Sequence, residues 1–434
     1  MRNIKLWVAA LAVVGSAISY HSIYLFHIFA LLWLSLSAYS LLVGQKLVVQ
    51  QAHLLYPIYA LVVYTLFSLL WHPDLVVWAR YHFYLACGLI ALFSVYQYVV
   101  DFKSLNKVFA VLVGFLLLNV FIGILESLEL LRLPTSRYSP YLHYFGYSGN
   151  DLSGMSQSAL GVLANKPTRF NFNPNNFGFV LMLIAPFVFF HKSYLVKVIG
   201  LFVIVWLLFS IGSRTHFVAF LLMLALIPFF MRLSYGKAIL IMLAPLLLAF
   251  ILFLPEFIDL SSRDAKRMYS AFDSIILGLQ LMASGDIQPG DSTSTRAYIY
   301  LFGITQLFNS YGFGLGFGGI ESLLIQYDFR IQAFHFFFLQ MLVDLGVFVF
   351  MFFMVFYLRL ILVLRRISNK ASNKAIAYFA KSSSLALLIA IPASVAPSGV
   401  HYILTFYLLI GFALAIIKVY NLEKFNENNI TRRG

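Results

Sequence analysis

Cysteine is almost absent from this 434-residue sequence: the single one, Cys87, lies in the apolar run YLACGLIALF. An intrachain disulfide is excluded, and with it a disulfide-held scaffold; the surrounding run gives the thiol a packing role. Charge is scarce too, at 11% of residues, where soluble proteins carry about 25%. The metal-binding patterns HExxH and CxxC and paired-acid motifs are missing. So is any internal repeat, which removes the repeat signature of many transporters. What fills the chain instead is apolar: 62% of residues, with a mean hydropathy of +0.88. A soluble core of this length cannot hide that much apolar surface. A soluble enzyme and a disordered chain are therefore excluded, and the composition defines an all-α polytopic membrane protein.

A membrane-crossing helix needs roughly 17–25 apolar residues. Runs of that kind lie at 6–20, 23–44, 54–71, 82–100, 108–127, 176–191, 196–213, 215–231, 238–255, 335–358, 382–397 and 399–417. About twelve transmembrane helices are expected. The first run follows Arg2 and Lys5 and has signal-peptide features, but the chain re-enters an apolar stretch at Ile23, which favours a retained hairpin.

Alternating the spans with the N-terminus inside places 19 of the 30 lysines and arginines on one side, with only Asp101, Glu423 and Glu427 among them. The net charge of +14 is thus an orientation signal, with both termini cytoplasmic, rather than a sign of nucleic-acid binding. The expected organisation is helices 1–5 over residues 1–127, a periplasmic loop at 128–175, helices 6–9 over 176–255, a large periplasmic loop at 256–334, and helices 10–12 with a cytoplasmic tail over 335–434. Loops of such length are usually functional or disordered. The stretches SIILGLQLM and YIYLFGITQLF within the second read as short amphipathic helices at the outer interface.

Of the 11 cations left for the outer side, nine are arginine: Arg80, Arg132, Arg137, Arg169, Arg214, Arg263, Arg267, Arg296 and Arg330. The guanidinium grips phosphate with two parallel bonds, so this bias points to a phosphate-bearing ligand; anchoring to lipid phosphates is the plainer alternative. Arg214 sits in a short Gly-Ser-Arg turn between two apolar runs, where an arginine is functional unless it snorkels to the interface. Arg169 precedes FNFNPNNFG, in which Pro174 and the asparagines 173, 175 and 176 suit a helix start; capping accounts for the asparagines and leaves Arg169 unexplained. A helix N-terminus beside an arginine is a ready anion site.

Glycines 312, 314, 316, 318 and 319 permit tight turns without matching a P-loop or dinucleotide motif. His335 follows, at the point of re-entry into the membrane. It is the one good general base near neutral pH in these segments, although a single interfacial histidine is often structural. Asp344 lies nine residues on, half a turn away at about 100° per residue, and so on the opposite helix face. Gln332 shares the His335 face if the helix begins early. The scattered outer acids at 259, 264, 273, 286 and 291 offer a divalent-ion alternative, but no metal site is expected.

Arg169-x6-Asn176, the Gly-Ser-Arg214 turn, Arg296 followed by Gly-x-Gly-x-Gly, and His335 before an apolar span resemble, in order and location, the O-antigen ligase/polymerase family of bacterial integral membrane glycosyltransferases. The resemblance runs from about residue 120 to 365. It implies an inner-membrane enzyme with a periplasmic active site and no cofactor, metal or nucleotide sugar. Its donor would be an undecaprenyl-pyrophosphate-linked glycan, and its acceptor a second lipid-linked glycan, or lipid A–core in a ligase. It further implies that Arg214 and Arg296 bind the pyrophosphate, with Arg169 and Arg263 as weaker transfers, and that His335 serves the acceptor with Gln332 and Asn176 in support. Membrane lipids and a chain-length regulator protein are the other expected partners; nucleic acid is not one. The segments around Leu125–Ser136 and FNPNN resemble polymerases more than ligases. The competing class is a polysaccharide-lipid flippase, which should line a central cavity with charges.

Overall fold

A computed structural model of the chain describes residues 2–44, 49–136, 139, 141–145, 166–231, 292–329 and 331–431. Among them the fold is almost wholly helical. The helices are α1 (Arg2–Val14), α2 (Leu25–Leu42), α3 (Tyr56–Phe67), α4 (Leu75–Tyr98), α5 (Phe102–Ser127), α6 (Pro174–Phe189), α7 (Tyr194–Ile211) and α8 (Arg214–Met231). After the undescribed stretch come α9 (Ser292–Asn309), α10 (Gly319–Gln326), α11 (Phe337–Lys370), α12 (Lys374–Ala393) and α13 (Leu404–Thr431). A two-residue antiparallel pair, β1 (Ser19–Tyr20) with β2 (Ile23–Tyr24), joins α1 to α2.

Eight helices among the described residues are long and apolar enough to cross a membrane, and α6 and α8 are shorter apolar ones. Helix α1 is shorter than the expected first span: Gly15 turns the chain at φ +54°, so the run to residue 20 ends in the β1–β2 hairpin. The expected span 238–255 lies outside the described residues.

Polar caps set the helix starts. Asp74 accepts from the Val76 and Val77 amides at α4, and Asp101 forms a capping box with Ser104 at α5. Asn173 accepts from the Asn175 amide at α6. These side chains satisfy amides that no preceding turn can reach.

Helix α13 is the centre of the bundle, packed by α1, α4, α5, α6, α11 and α12. Hydrogen bonds fix which helix ends lie together. At one end Ser16 Oγ donates to the Phe170 carbonyl and Trp206 Nε1 to Ser127 Oγ. At the other, Tyr96 OH donates to the Gln50 carbonyl, Gln51 Nε2 to the Lys418 carbonyl and Arg365 to the Phe229 carbonyl. The first is called here the loop end and the second the tail end. The α9–α10 segment and the connector 394–403 lie at the loop end.

Helix α11 is broken. Gly346 adopts φ +77°, which divides the long helix after two and a half turns. The glycine run packs into the break: the amides of Leu315, Gly316 and Val347 donate to the carbonyls of Val343, Asp344 and Gly312. Tyr64 OH donates to the carbonyls of Phe313 and Leu345. Non-helical backbone at membrane depth survives only where protein satisfies it in this way. The buried Asp344 carboxylate completes the join by accepting from the Gly318 amide at 3.1 Å and the Ile320 amide at 3.0 Å, at the start of α10.

The last two expected spans are also shifted. Residues 382–397 and 399–417 read as adjacent runs, whereas the helices are 374–393 and 404–431, separated by a ten-residue apolar connector. Pro397 and Gly399 end the helical path there, and hydropathy alone does not register it.

Candidate functional site

The connector 394–403 is the hub of the loop end. His335 lies just before α11, in the left-handed region at φ +60°, with its Nδ1 3.3 Å from the Ala396 carbonyl. A carbonyl only accepts, so Nδ1 carries the proton and Nε2 keeps its lone pair. Burial, and then the positive charge of Arg296, push the His335 pKa down to about 4. Arg296 stands in the first turns of α9 with its Nε buried and unpartnered. One turn further on, the Tyr300 hydroxyl donates to the His335 carbonyl at 3.4 Å. Arg296 and His335, 39 residues apart in sequence, thus share one electrostatic environment.

Arg214 opens α8 at this same end, immediately after the left-handed Gly212 and Ser213. Two residues on, the fully buried His216 takes a 2.7 Å hydrogen bond between its Nδ1 and Ser213 Oγ, and its ring faces the Ala393 carbonyl. The turn bearing Arg214 and the loop bearing His335 therefore lie near positions three residues apart at the α12 exit. Arg263 lies outside the described residues.

Asn176 donates to the Asn171 carbonyl at 3.3 Å and, with Ser398, flanks the Tyr402 phenol. Gln332 is exposed in an extended segment; because α11 starts at Phe337, it shares no helix face with His335. For the same reason the half-turn relation between His335 and Asp344 does not exist. The Asp344 carboxylate instead accepts from the Gly318 and Ile320 amides at the start of α10.

Arg169 is fully buried, its guanidinium stacked on Phe177 and packed against Gly123, which leaves room by having no side chain. The Glu126 carboxylate accepts from the Thr168 and Arg169 amides, both at 2.8 Å. Burial pushes the Arg169 pKa down and the Glu126 charge opposes it. Arg169 thus faces the bundle interior here, not the Arg296–His335 surface.

Sequence reasoning did not identify a second polar group. Arg80 and Tyr81 of α4 both donate to Glu321 of α10, at 2.6 and 2.5 Å, and Gln340 of α11 donates to the Tyr81 oxygen at 2.7 Å. His401 of the connector stacks on Tyr81 at 4.3 Å, and burial pushes its pKa down to about 3, so it is neutral. The signal was a lone glutamate, Glu321, in an apolar stretch directly after the glycine run.

Below this loop end a narrow, partly open apolar groove, enclosing about 70 Å³, runs between α3, α4, α11 and α13. Leu61, Leu85, Leu92, Met341 and Phe353 line its length, and Phe317 and Phe337 its end nearest His335.

The fold and site define a polytopic helical membrane protein with an imidazole and an arginine gathered at one end of the bundle. No family model matches the chain. It is 24% identical over 372 residues to the teichuronic acid biosynthesis protein TuaE of Bacillus subtilis, covering 82% of this chain and 70% of that one.

Proposed function

We propose that this protein is a glycosyltransferase that polymerises undecaprenyl-pyrophosphate-linked oligosaccharide repeat units at the outer face of the bacterial cytoplasmic membrane. The observation that carries this reading is His335: an imidazole held against the Ala396 and Pro397 backbone, with its Nδ1 on the Ala396 carbonyl, beside Arg296 and above an apolar groove. The similarity to a protein named for teichuronic acid biosynthesis supports a role in making a surface polysaccharide. The cations of the tail end, among them Arg2, Lys5, Lys103, Lys107, Lys370 and Lys374, support a cytoplasmic tail end and hence a site on the outer face.

The chemistry is one inverting displacement without a metal. An acceptor sugar hydroxyl attacks the anomeric carbon of the donor, His335 Nε2 takes its proton, and the bond from that carbon to the pyrophosphate oxygen breaks. Proton removal of this kind contributes roughly 10²–10⁴ in rate. Arg296 and Arg214 neutralise the charge that grows on the leaving pyrophosphate. The hydrocarbon tail lies along the open side of the apolar groove, among lipid. A ligase would use the same geometry with lipid A–core as acceptor.

The test is a deletion strain complemented with wild-type protein or His335→Ala, its polysaccharide resolved on a gel. Single-repeat products in the deletion and His335→Ala strains are expected. Long unattached polymer would mean a ligase, and normal polymer with His335→Ala would overturn the scheme. Purified protein should lengthen the glycan and release undecaprenyl pyrophosphate without ATP, whereas a flippase would leave glycan length unchanged.

A further inference from the structure

The Arg80–Glu321 pair is half-open to its surroundings, with side chains 40% and 18% exposed, while everything behind it is sealed. Tyr81 and Gln340 are buried, and together they hold the Glu321 carboxylate from the rear. A surface ion pair needs no such backing for stability, since exposed pairs contribute only about 0–1 kcal/mol. Rigid polar groups with an open edge are what ligand recognition uses, because the ordering cost is met before binding.

Aromatic rings surround the pair. Tyr84 and Tyr402, both half-buried, pack with His401 at 5.3 and 5.0 Å. The Tyr81 ring meets Phe317, at the head of the apolar groove, edge-on at 5.5 Å. Gln340 is five residues from His335, on the order of 10 Å along the chain. A molecule with its tail along the groove and its head near His335 would therefore pass this cluster.

We propose that Arg80 and Glu321, with the rings of Tyr84 and Tyr402, form a saccharide-binding subsite that holds a sugar residue of the lipid-linked glycan away from the bond being made. A carboxylate accepts from sugar hydroxyls, a guanidinium donates to ring or hydroxyl oxygens, and aromatic faces cover the apolar C–H face of a pyranose. This rests on the glycosyltransferase reading above and adds the recognition of the glycan to it.

The test uses full-length purified protein and two probes: the lipid-linked repeat unit that accumulates in the deletion strain, and the free oligosaccharide released from it by mild acid. Glu321→Gln keeps an oxygen for Tyr81 to donate to, and Arg80→Gln changes an exposed side chain. Both are expected to raise KM for the lipid-linked unit on the order of tenfold, the scale of one charge-assisted hydrogen bond, with kcat little changed. Both should also lose the saturation-transfer NMR signal of the free oligosaccharide. His335→Ala should abolish turnover yet retain that signal. An unchanged KM and signal in both variants would overturn the subsite, whether or not the melting temperature falls, and would leave the pair as an anchor of α10 on α4. Normal turnover in His335→Ala would overturn the parent reading instead.

Discussion

Gly314 and Gly346 meet backbone to backbone: a Cβ on Gly314 would run into the Gly346 amide nitrogen, and one on Gly346 into the Phe313 carbonyl. Both residues have positive φ, at +83° and +77°. The break in α11 and the turn that plugs it are thus mutually dependent. Gly346→Ala should cost at least about 2 kcal/mol from the left-handed backbone and the collision together. Thermal unfolding in detergent checks this against Gly114→Ala in α5, where an added Cβ meets nothing within 4 Å and stability should hold. Equal melting temperatures for the two variants would contradict the join.

Asp344 belongs to the same join. Its carboxylate accepts two amides, whereas an asparagine accepts through one oxygen and turns an NH2 group on the other donor. Asp344→Asn should cost about 1–3 kcal/mol for the amide left unsatisfied. The Gly318 and Ile320 amides should then exchange hydrogen faster, which mass-spectrometric exchange reads directly.

The span pattern was legible because hydropathy at this length has one physical cause, the thickness of the bilayer. Arg296 and His335 stand out in the sequence because charge and imidazole are rare in an apolar chain, but that they share one environment is a property of the fold. The break at Gly346 was not legible: 335–358 is a continuous apolar run, and the left-handed backbone arises only from the tertiary meeting with Gly312–Gly316. The role of Asp344 was not legible either, because its partners are backbone amides of α10, which no sequence pattern marks. The same limit hides buried Gln340, whose partner Tyr81 is 259 residues away in sequence. Arg169 stood out as an arginine beside a helix start and through the resemblance, whereas the gap at Gly123 that receives its side chain is a property of packed helices.

Gly178 of α6 lies against the His216 ring, and a Cβ there would collide with Nδ1, the atom bonded to Ser213. Gly178→Ala should therefore displace the imidazole from Ser213 and loosen the turn that carries Arg214. Transfer should drop by about tenfold in Gly178→Ala and in His216→Ala alike. The double variant should fall no further, since both break one coupled contact. Additive losses would show that Gly178→Ala does not act through the His216 ring.

The pH dependence of transfer separates the roles of Arg296 and His335. In the free protein the imidazole titrates at about 4, below its ordinary 6.5, because burial and the Arg296 charge disfavour its protonated form. The base form therefore predominates from about pH 5 upward, and kcat/KM should stay flat through neutral pH and fall only near pH 4. As the pH drops from 6.5 towards 4, the unfolded chain takes up a proton that the folded one refuses, so this group also lowers stability across that window. A bound pyrophosphate beside Arg296 reverses the local charge and favours the imidazolium. The acid limb of kcat, which reports the complex, should then lie above that of kcat/KM. Arg296→Gln removes the repulsion and should raise the kcat/KM limb towards 6.5 while weakening donor binding. Profiles measured on purified protein with the lipid-linked repeat unit decide the matter: coincident limbs, or a limb unmoved by Arg296→Gln, would show that Arg296 and His335 do not act on the same bound diphosphate.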